Sequence, residues 1–227
     1  MPNLEALRSP IEIEVIYDFI CPWCWIGHSH LKTALEQAAM DAQAHIRFVP
    51  YELNPDMPRP GVDRKNYRTV KFGSWARSQA MDADVTAAGQ RAGLEFRYDR
   101  IATTPNTRFA HRLMWWAQRA GDPARSASLF DAIFAAYFQR GEHIGRPEVL
   151  AAVAAGCGFD HAQILALLAG EDGDQEVAAI EQASQREGIH AVPTVRIEQL
   201  SFSGAQPAAS ILTMLERATS KHAPKVA

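Results

Sequence analysis

The sequence predicts an α/β domain interrupted by an all-helical insertion, and three observations predict it. The first fifty residues read β-α-β, the stretch from about 63 to 168 is almost wholly helical, and α-β-β-α structure returns after it. Parallel pairing of the two early strands requires the helical crossover between them. The late strands can join the same sheet only if the helical block is inserted. The divisions fall at 10–62 for the first part of the α/β domain, 63–170 for the helical lid and 171–220 for the second part. A length of 227 residues suits one domain with a sizeable insertion.

The first strand is "IEIEVIYDF", where Ile11, Ile13, Val15, Tyr17 and Phe19 alternate with Glu12, Glu14 and Asp18. Ile16 interrupts the polar side, which predicts a central strand covered on both faces. A helix begins within "CPWCWIGHSHL", with Pro22 in its first turn, where the missing amide costs nothing. It is expected to run to about Ala42. "HIRFVPYEL" supplies the second strand, and the proline-rich "NPDMPRPG" that follows is a loop.

In the helical block, Phe109, Leu113, Trp116 and Ala117 share one face, and Phe130, Ile133, Phe134, Tyr137 and Phe138 form a broad apolar stripe. "GDP" at 121–123 separates these two helices. Gly158 reads as a helix stop, and Asp160 with Gln163 as a capping box for the next helix. A polar helix from Asp174 to Glu187 ends at Gly188. "AVPTVRIEQLSFSGA" then gives two short strands, and a helix from Pro207 to about Ala218 closes the pattern.

Composition narrows the function. Apolar residues make up 47% and charged residues 22%, with a formal charge of −3 and no like-charge blocks. A role on nucleic acid or a membrane surface has no electrostatic support. No segment reaches the roughly 18 consecutive apolar residues of a spanning helix. "MPNLEALRSP" does not resemble a signal peptide, and 221–227 reads as a loose tail. The expectation is a cytoplasmic protein, and in that compartment three cysteines do not describe a disulfide framework. A close-spaced pair there points to redox catalysis, redox sensing or metal binding.

Cys21 and Cys24 are that pair. Cys21 is placed at a helix amino terminus, where free N–H groups and the positive end of the dipole favour a thiolate, the attacking species in disulfide exchange. Cys24, one turn later, is near enough to close a disulfide on it. Trp23 and Trp25 are expected to shield the pair and offer a substrate an apolar surface. A second signal is Val192–Pro193–Thr194. A proline at a strand start removes a ladder bond, and a cis bond at Pro193 would explain it.

The chain resembles the DsbA-like branch of the thioredoxin superfamily, and within it FrnE-type oxidoreductases. The residues that carry this are "DFICPWCWIG" (18–27), "YELNPDMP" (51–58), "PNTRFAHRL" (105–113), "AYF" (136–138), "AVPT" (191–194) and "SGAQP" (203–207). The resemblance implies a thioredoxin-like fold, Cys21 as nucleophile, Cys24 as resolving thiol and a cis Pro193 facing them. Pro22, Trp23, Val192 and Thr194 then face the substrate, with Val192 offering backbone bonds. Asn106, Arg108 and His111 are candidate contacts from the insertion, with Asn106 or Thr107 also serving as a helix cap. The implied activity acts on a protein or small-molecule thiol or disulfide. No bound cofactor or metal is expected, glutathione is a possible co-substrate, and monomer and homodimer both stay open. His28, His30 and Arg196 depart from the family's usual residues, and the second cysteine pair of some relatives is absent.

Three other readings compete. A zinc site would join Cys21 and Cys24 to Cys157 and His161, or to His28. A glutathione-dependent isomerase or transferase of the kappa and 2-hydroxychromene-2-carboxylate isomerase type shares the fold, but usually carries serine where Cys21 stands. A binding module would need neither thiol. Asp18 is open between a proton acceptor for Cys24 and an end-of-strand polar residue.

Overall fold

The computed structural model describes residues 10–220; the readings of the amino-terminal segment and of the 221–227 tail lie outside the described residues. The chain runs β1 (Ile11–Tyr17), α1 (Pro22–Ala38), β2 (Ala44–Pro50), β3 (Val62–Asp63), α2 (Arg64–Phe72), α3 (Trp75–Arg91), β4 (Thr103–Thr104), α4 (Arg108–Arg119) and α5 (Pro123–Phe138). It continues through α6 (Pro147–Gly156), α7 (His161–Ala169), α8 (Asp174–Arg186), β5 (Thr194–Ile197), β6 (Leu200–Ser203) and α9 (Ala208–Ser220).

The main sheet has the order β2-β1-β5-β6. β1 pairs parallel with β2 (Ile13 opposite Ile46) and antiparallel with β5 (Val15 opposite Val195), and β5 and β6 form a hairpin. This is the thioredoxin-like α/β fold with an inserted helical region, and the late strands do join the early ones. The alternation in β1 sends Ile11, Ile13, Val15 and Tyr17 into the main core. Ile16 goes to the opposite face, against Val49, Tyr51 and Ile189. The strand is therefore covered on both sides, as its apolar interruption predicts.

Two elements differ from the sequence reading. α1 stops at Ala38 because Ala39 turns left-handed (φ 51°) and its N–H closes onto Glu36 and Leu35 carbonyls. The helical block also contains a strand pair, β3 and β4, with Val62 opposite Thr104. Two-residue strands are too short for periodicity to reveal. Gly61 makes the approach possible: its φ is +73°, and a Cβ there would stand 2.6 Å from the Thr104 carbonyl oxygen.

The insertion packs directly on the sheet and shares one core with it. Phe130 on α5 stacks on Phe48 of β2 at 4.0 Å between centroids and meets Tyr17 of β1 at 4.7 Å. Trp25 of α1 lies parallel to Phe134 and Phe138. Such aromatic pairs contribute roughly 0.5–1.5 kcal/mol each beyond area burial. Side-chain caps fix the helix starts: Asp63, Ser74, Asp122 and Asp160 accept from the N–H groups of Asn66, Arg77, Arg125 and Gln163. Each is worth about 1 kcal/mol.

Candidate active site

β1 ends in a tight corner that delivers Cys21 to the N-cap of α1. The Cys21 N–H donates to the Asp18 carbonyl at 3.0 Å, and the Cys24 N–H to the Cys21 carbonyl at 3.0 Å. Pro22 fills the first helical position. Both thiols are free and lie within hydrogen-bonding reach of each other. Their surroundings are unequal. Cys21 is 7% exposed and Cys24 is sealed at 0%. Burial, followed by the adjacent Cys21, pushes the Cys24 thiol well above its usual range.

The 191–194 loop faces this corner. The Val192–Pro193 bond is cis, and the Cys21 thiol donates to the Val192 carbonyl across 3.7 Å. The loop is braced from behind: Gly204 N–H donates to the Pro193 carbonyl at 2.8 Å, and Thr194 Oγ1 to the Ala191 carbonyl at 2.8 Å. Thr194 also exchanges a hydroxyl bond with Ser203. α1 approaches closely because Gly27 has no side chain; a Cβ there would stand 3.4 Å from both Pro193 Cγ and Ala205 Cα.

A cleft opens beside the dithiol. Its lining includes Cys21, Pro22, Trp23 and Leu53 on one side and Arg64, Tyr67, Arg68, Lys71, Phe72, Met81 and Asp82 from α2 and α3 on the other. Trp23 is 41% exposed at its rim. Trp25 is not a substrate surface as expected: only 4% exposed, it faces Phe134, Phe138 and Phe96 while its indole N–H donates to Asp131. Its position two residues beyond Trp23 turns it inward, because successive helical residues do not share a face.

Asn106, Arg108 and His111 are not in this cleft's lining. Thr107 occupies the N-cap of α4 without a side-chain cap bond. Asn106, one residue earlier, accepts from the Arg108 N–H at 2.9 Å and donates to the Met57 carbonyl, holding the helix start in place. Arg108 pairs with Glu52 at 2.5 Å and Glu181 at 3.5 Å. His111 is fully buried against Tyr17 and Phe19, with Nε2 3.4 Å from Asp18 Oδ1. Asp18 accepts from the Leu53 N–H at 2.7 Å, tying the end of β1 to the chain after β2.

Asp18, Glu52, His111 and Glu181 thus form a buried ionisable cluster that the partly exposed Arg108 closes from outside. Burial pushes Glu52 up to about 7, with Glu181 and Asp18 adding to the rise while His111 and Arg108 oppose it. Burial raises Glu181 too, against His111 and Arg108. Sequence reasoning missed Glu52 and Glu181, whose pairing depends on β2 and α8 meeting. It also missed Arg64, Arg68 and Lys71, although their spacing of four and three marks one helical face.

The departures from family pattern have local reasons. His28 is buried between the Phe48 and Phe130 rings, and burial lowers it to about 4. Its neutral ring acts as an aromatic filler. His30 bonds the Gln206 carbonyl at 2.9 Å. Arg196 sits opposite Glu14 in the register and reaches both Glu14 and Glu187. Among the described residues, no group of three or more His, Cys, Asp or Glu gathers in metal-ligating geometry. No described helix is long and apolar enough to cross a membrane.

A family model for the DSBA-like thioredoxin domain matches residues 12–216. YwbO of Bacillus subtilis (strain 168) is 26% identical over 196 residues, covering 86% of this chain and 90% of that protein. The crystal structure of a probable DsbA oxidoreductase from Streptomyces coelicolor superposes with a TM-score of 0.84 at 28% identity, covering 94% of this chain and 92% of the other. The cytosolic disulfide reductase DsbM from Pseudomonas aeruginosa, solved with glutathione, shares the fold with a TM-score of 0.61 at 19% identity, covering 93% and 96%.

Proposed function

The chain belongs to the DSBA-like thioredoxin domain family and carries the Cys-Pro-Trp-Cys dithiol of a thiol–disulfide oxidoreductase; from that premise we propose a FrnE-type, cytoplasmic enzyme recycled by glutathione. The observation that carries the assignment of roles is the inequality of the two sulfurs. Cys21, at a helix start, keeps 7% of its surface exposed toward the cleft, and Cys24 is sealed at 0% behind it with its proton held firmly.

In the reductive direction, the Cys21 thiolate attacks one sulfur of the substrate disulfide. A Cys21–substrate disulfide forms, the substrate S–S bond breaks, and the departing thiolate takes a proton from water. Cys24 then gives up its proton and attacks the Cys21 sulfur, releasing the second substrate thiol and leaving a Cys21–Cys24 disulfide. One disulfide has been reduced and one dithiol oxidised. Two glutathione thiols restore the dithiol and leave as glutathione disulfide. The glutathione-bound structure of DsbM supports this co-substrate, and its description as cytosolic supports the location. Val192 is the backbone contact for an extended substrate, and Pro193 the wall that faces the sulfurs.

The test is disulfide-reductase turnover with glutathione as donor for wild type, Cys21→Ser and Cys24→Ser. Loss of activity in Cys21→Ser supports the roles given. Equal activity in all three removes the reading and favours the isomerase or transferase chemistry, which needs no dithiol.

A further inference from the structure

We propose that the cleft beside the dithiol is an anion-selecting substrate site, taking a low-molecular-mass disulfide that bears carboxylates, with Arg68 and Lys71 reading the charge. The inference rests on the oxidoreductase reading and adds a substrate class to it. Arg64, Arg68 and Lys71 lie on one face of α2 and line the cleft together with Cys21.

The charges in this wall do not cancel. Among the lining residues the three cations meet a single carboxylate, Asp82. Both of its oxygens are taken: Arg64 donates to Oδ2 at 2.7 Å and Arg68 to Oδ1 at 2.9 Å. The remaining Arg68 bonds go to Ser78, a neutral partner. Lys71 is held by the Tyr67 hydroxyl at 2.8 Å and Asn54 Oδ1 at 3.2 Å, also neutral. Excess positive charge therefore lines the cleft, with Arg68 partly buried in its wall and Lys71 exposed at its rim.

The rest of the lining suits a short, partly apolar molecule. Trp23, Leu53 and Met81, three exposed large hydrophobics, rim the cleft. Its volume is about 160 Å³, comparable to the roughly 150 Å³ apolar cavity that admits benzene. That space admits one half of a small disulfide, with its carboxylate toward Arg68 and Lys71 and its sulfur toward Cys21. Attack by the Cys21 thiolate joins that half to Cys21, breaks the substrate S–S bond and releases the other half as a thiolate, protonated by water.

Alkylation of Cys21 by iodoacetate and by iodoacetamide tests the charge preference directly. The two reagents attack the same thiolate, so their rate ratio cancels any difference in its ionisation. The ratio for the native protein should exceed that of free cysteine by roughly threefold to tenfold. Lys71→Gln should bring it down by about half or more, Lys71→Arg should preserve it, and high salt should drive it toward the free value. Lys71 is exposed, so these variants keep the fold. A ratio equal to that of free cysteine, or one indifferent to Lys71→Gln, overturns the proposal.

Turnover then separates the two readings. Dithiodipropionate, a disulfide of two short carboxylates close in size to hydroxyethyl disulfide, should have the higher kcat/KM of the two, with Arg68→Gln and Lys71→Gln lowering it more through KM. Equal specificity overturns the substrate class. Turnover of neither disulfide, with the alkylation ratio still raised and dependent on Lys71, removes the oxidoreductase reading and leaves an anion site beside a thiol that does not exchange with disulfides.

Discussion

The Cys21 sulfur lies 3.7 Å from the Val192 carbonyl oxygen, although 171 positions separate the two residues. The relationship depends on the loop that carries Val192, and Thr194 braces that loop with hydroxyl bonds to Ala191 and Ser203. Thr194→Val keeps the shape and removes both bonds. It should cost about 1 kcal/mol of stability, read by urea unfolding, and lower disulfide turnover several-fold in protein that remains folded. Unchanged turnover would detach the loop from the reaction.

The unequal burial of the thiols predicts an order of modification. In native protein at neutral pH, Cys21 should be alkylated first and Cys24 last, because burial holds the Cys24 proton and excludes the reagent. Cys157 is more exposed than Cys21, but it caps the carboxyl end of α6, where the helix dipole disfavours a thiolate. Burial also raises its thiol, with Arg125 opposing, so it should lag behind Cys21 at its helix start. Peptide mass mapping of a time course reads the order, and early labelling of Cys24 would contradict it.

Gly27 should tolerate a methyl group and nothing larger. Gly27→Ala brings a Cβ to 3.4 Å from Pro193 and Ala205, a cost offset by the roughly 1 kcal/mol gained in a helix interior. Gly27→Leu must displace the Pro193 loop, which should cost about 1–3 kcal/mol and reduce turnover more than Gly27→Ala does. Thermal unfolding and turnover of the pair check this.

The buried carboxylates predict a pH dependence of stability. Glu52 titrates near 7 in the folded protein against an ordinary value of 4.5. Between these values the folded state binds the extra proton, so stability falls as pH rises from about 4.5 to about 7 and then levels. Glu181, also raised, acts in the same direction. Glu52→Gln should flatten this slope in urea midpoints measured across the window. An unchanged slope would place the titration elsewhere.

The parts legible in sequence were those written locally. Alternation in 11–17, cysteines at a strand-to-helix corner and a proline opening a strand each occupy a few residues, and each falls where it was expected. The inward turn of Trp25 was not legible, because the site for its ring is made by Phe134 and Phe138 more than a hundred residues away. The partnership of Arg108 with Glu52 and Glu181 needs three separate elements to meet. Likewise, the spacing of Arg64, Arg68 and Lys71 marks a helical face but gives no sign of what it meets, and only the folded chain turns that face toward Cys21.

The central claim is that Cys21 attacks and Cys24 resolves. Cys24→Ser, incubated with oxidised glutathione and examined by intact-mass and peptide mapping, tests it most directly. The account predicts one glutathione, joined by a disulfide to Cys21 and stable until a reductant is added. Absence of the adduct, or its location on Cys157, would contradict it.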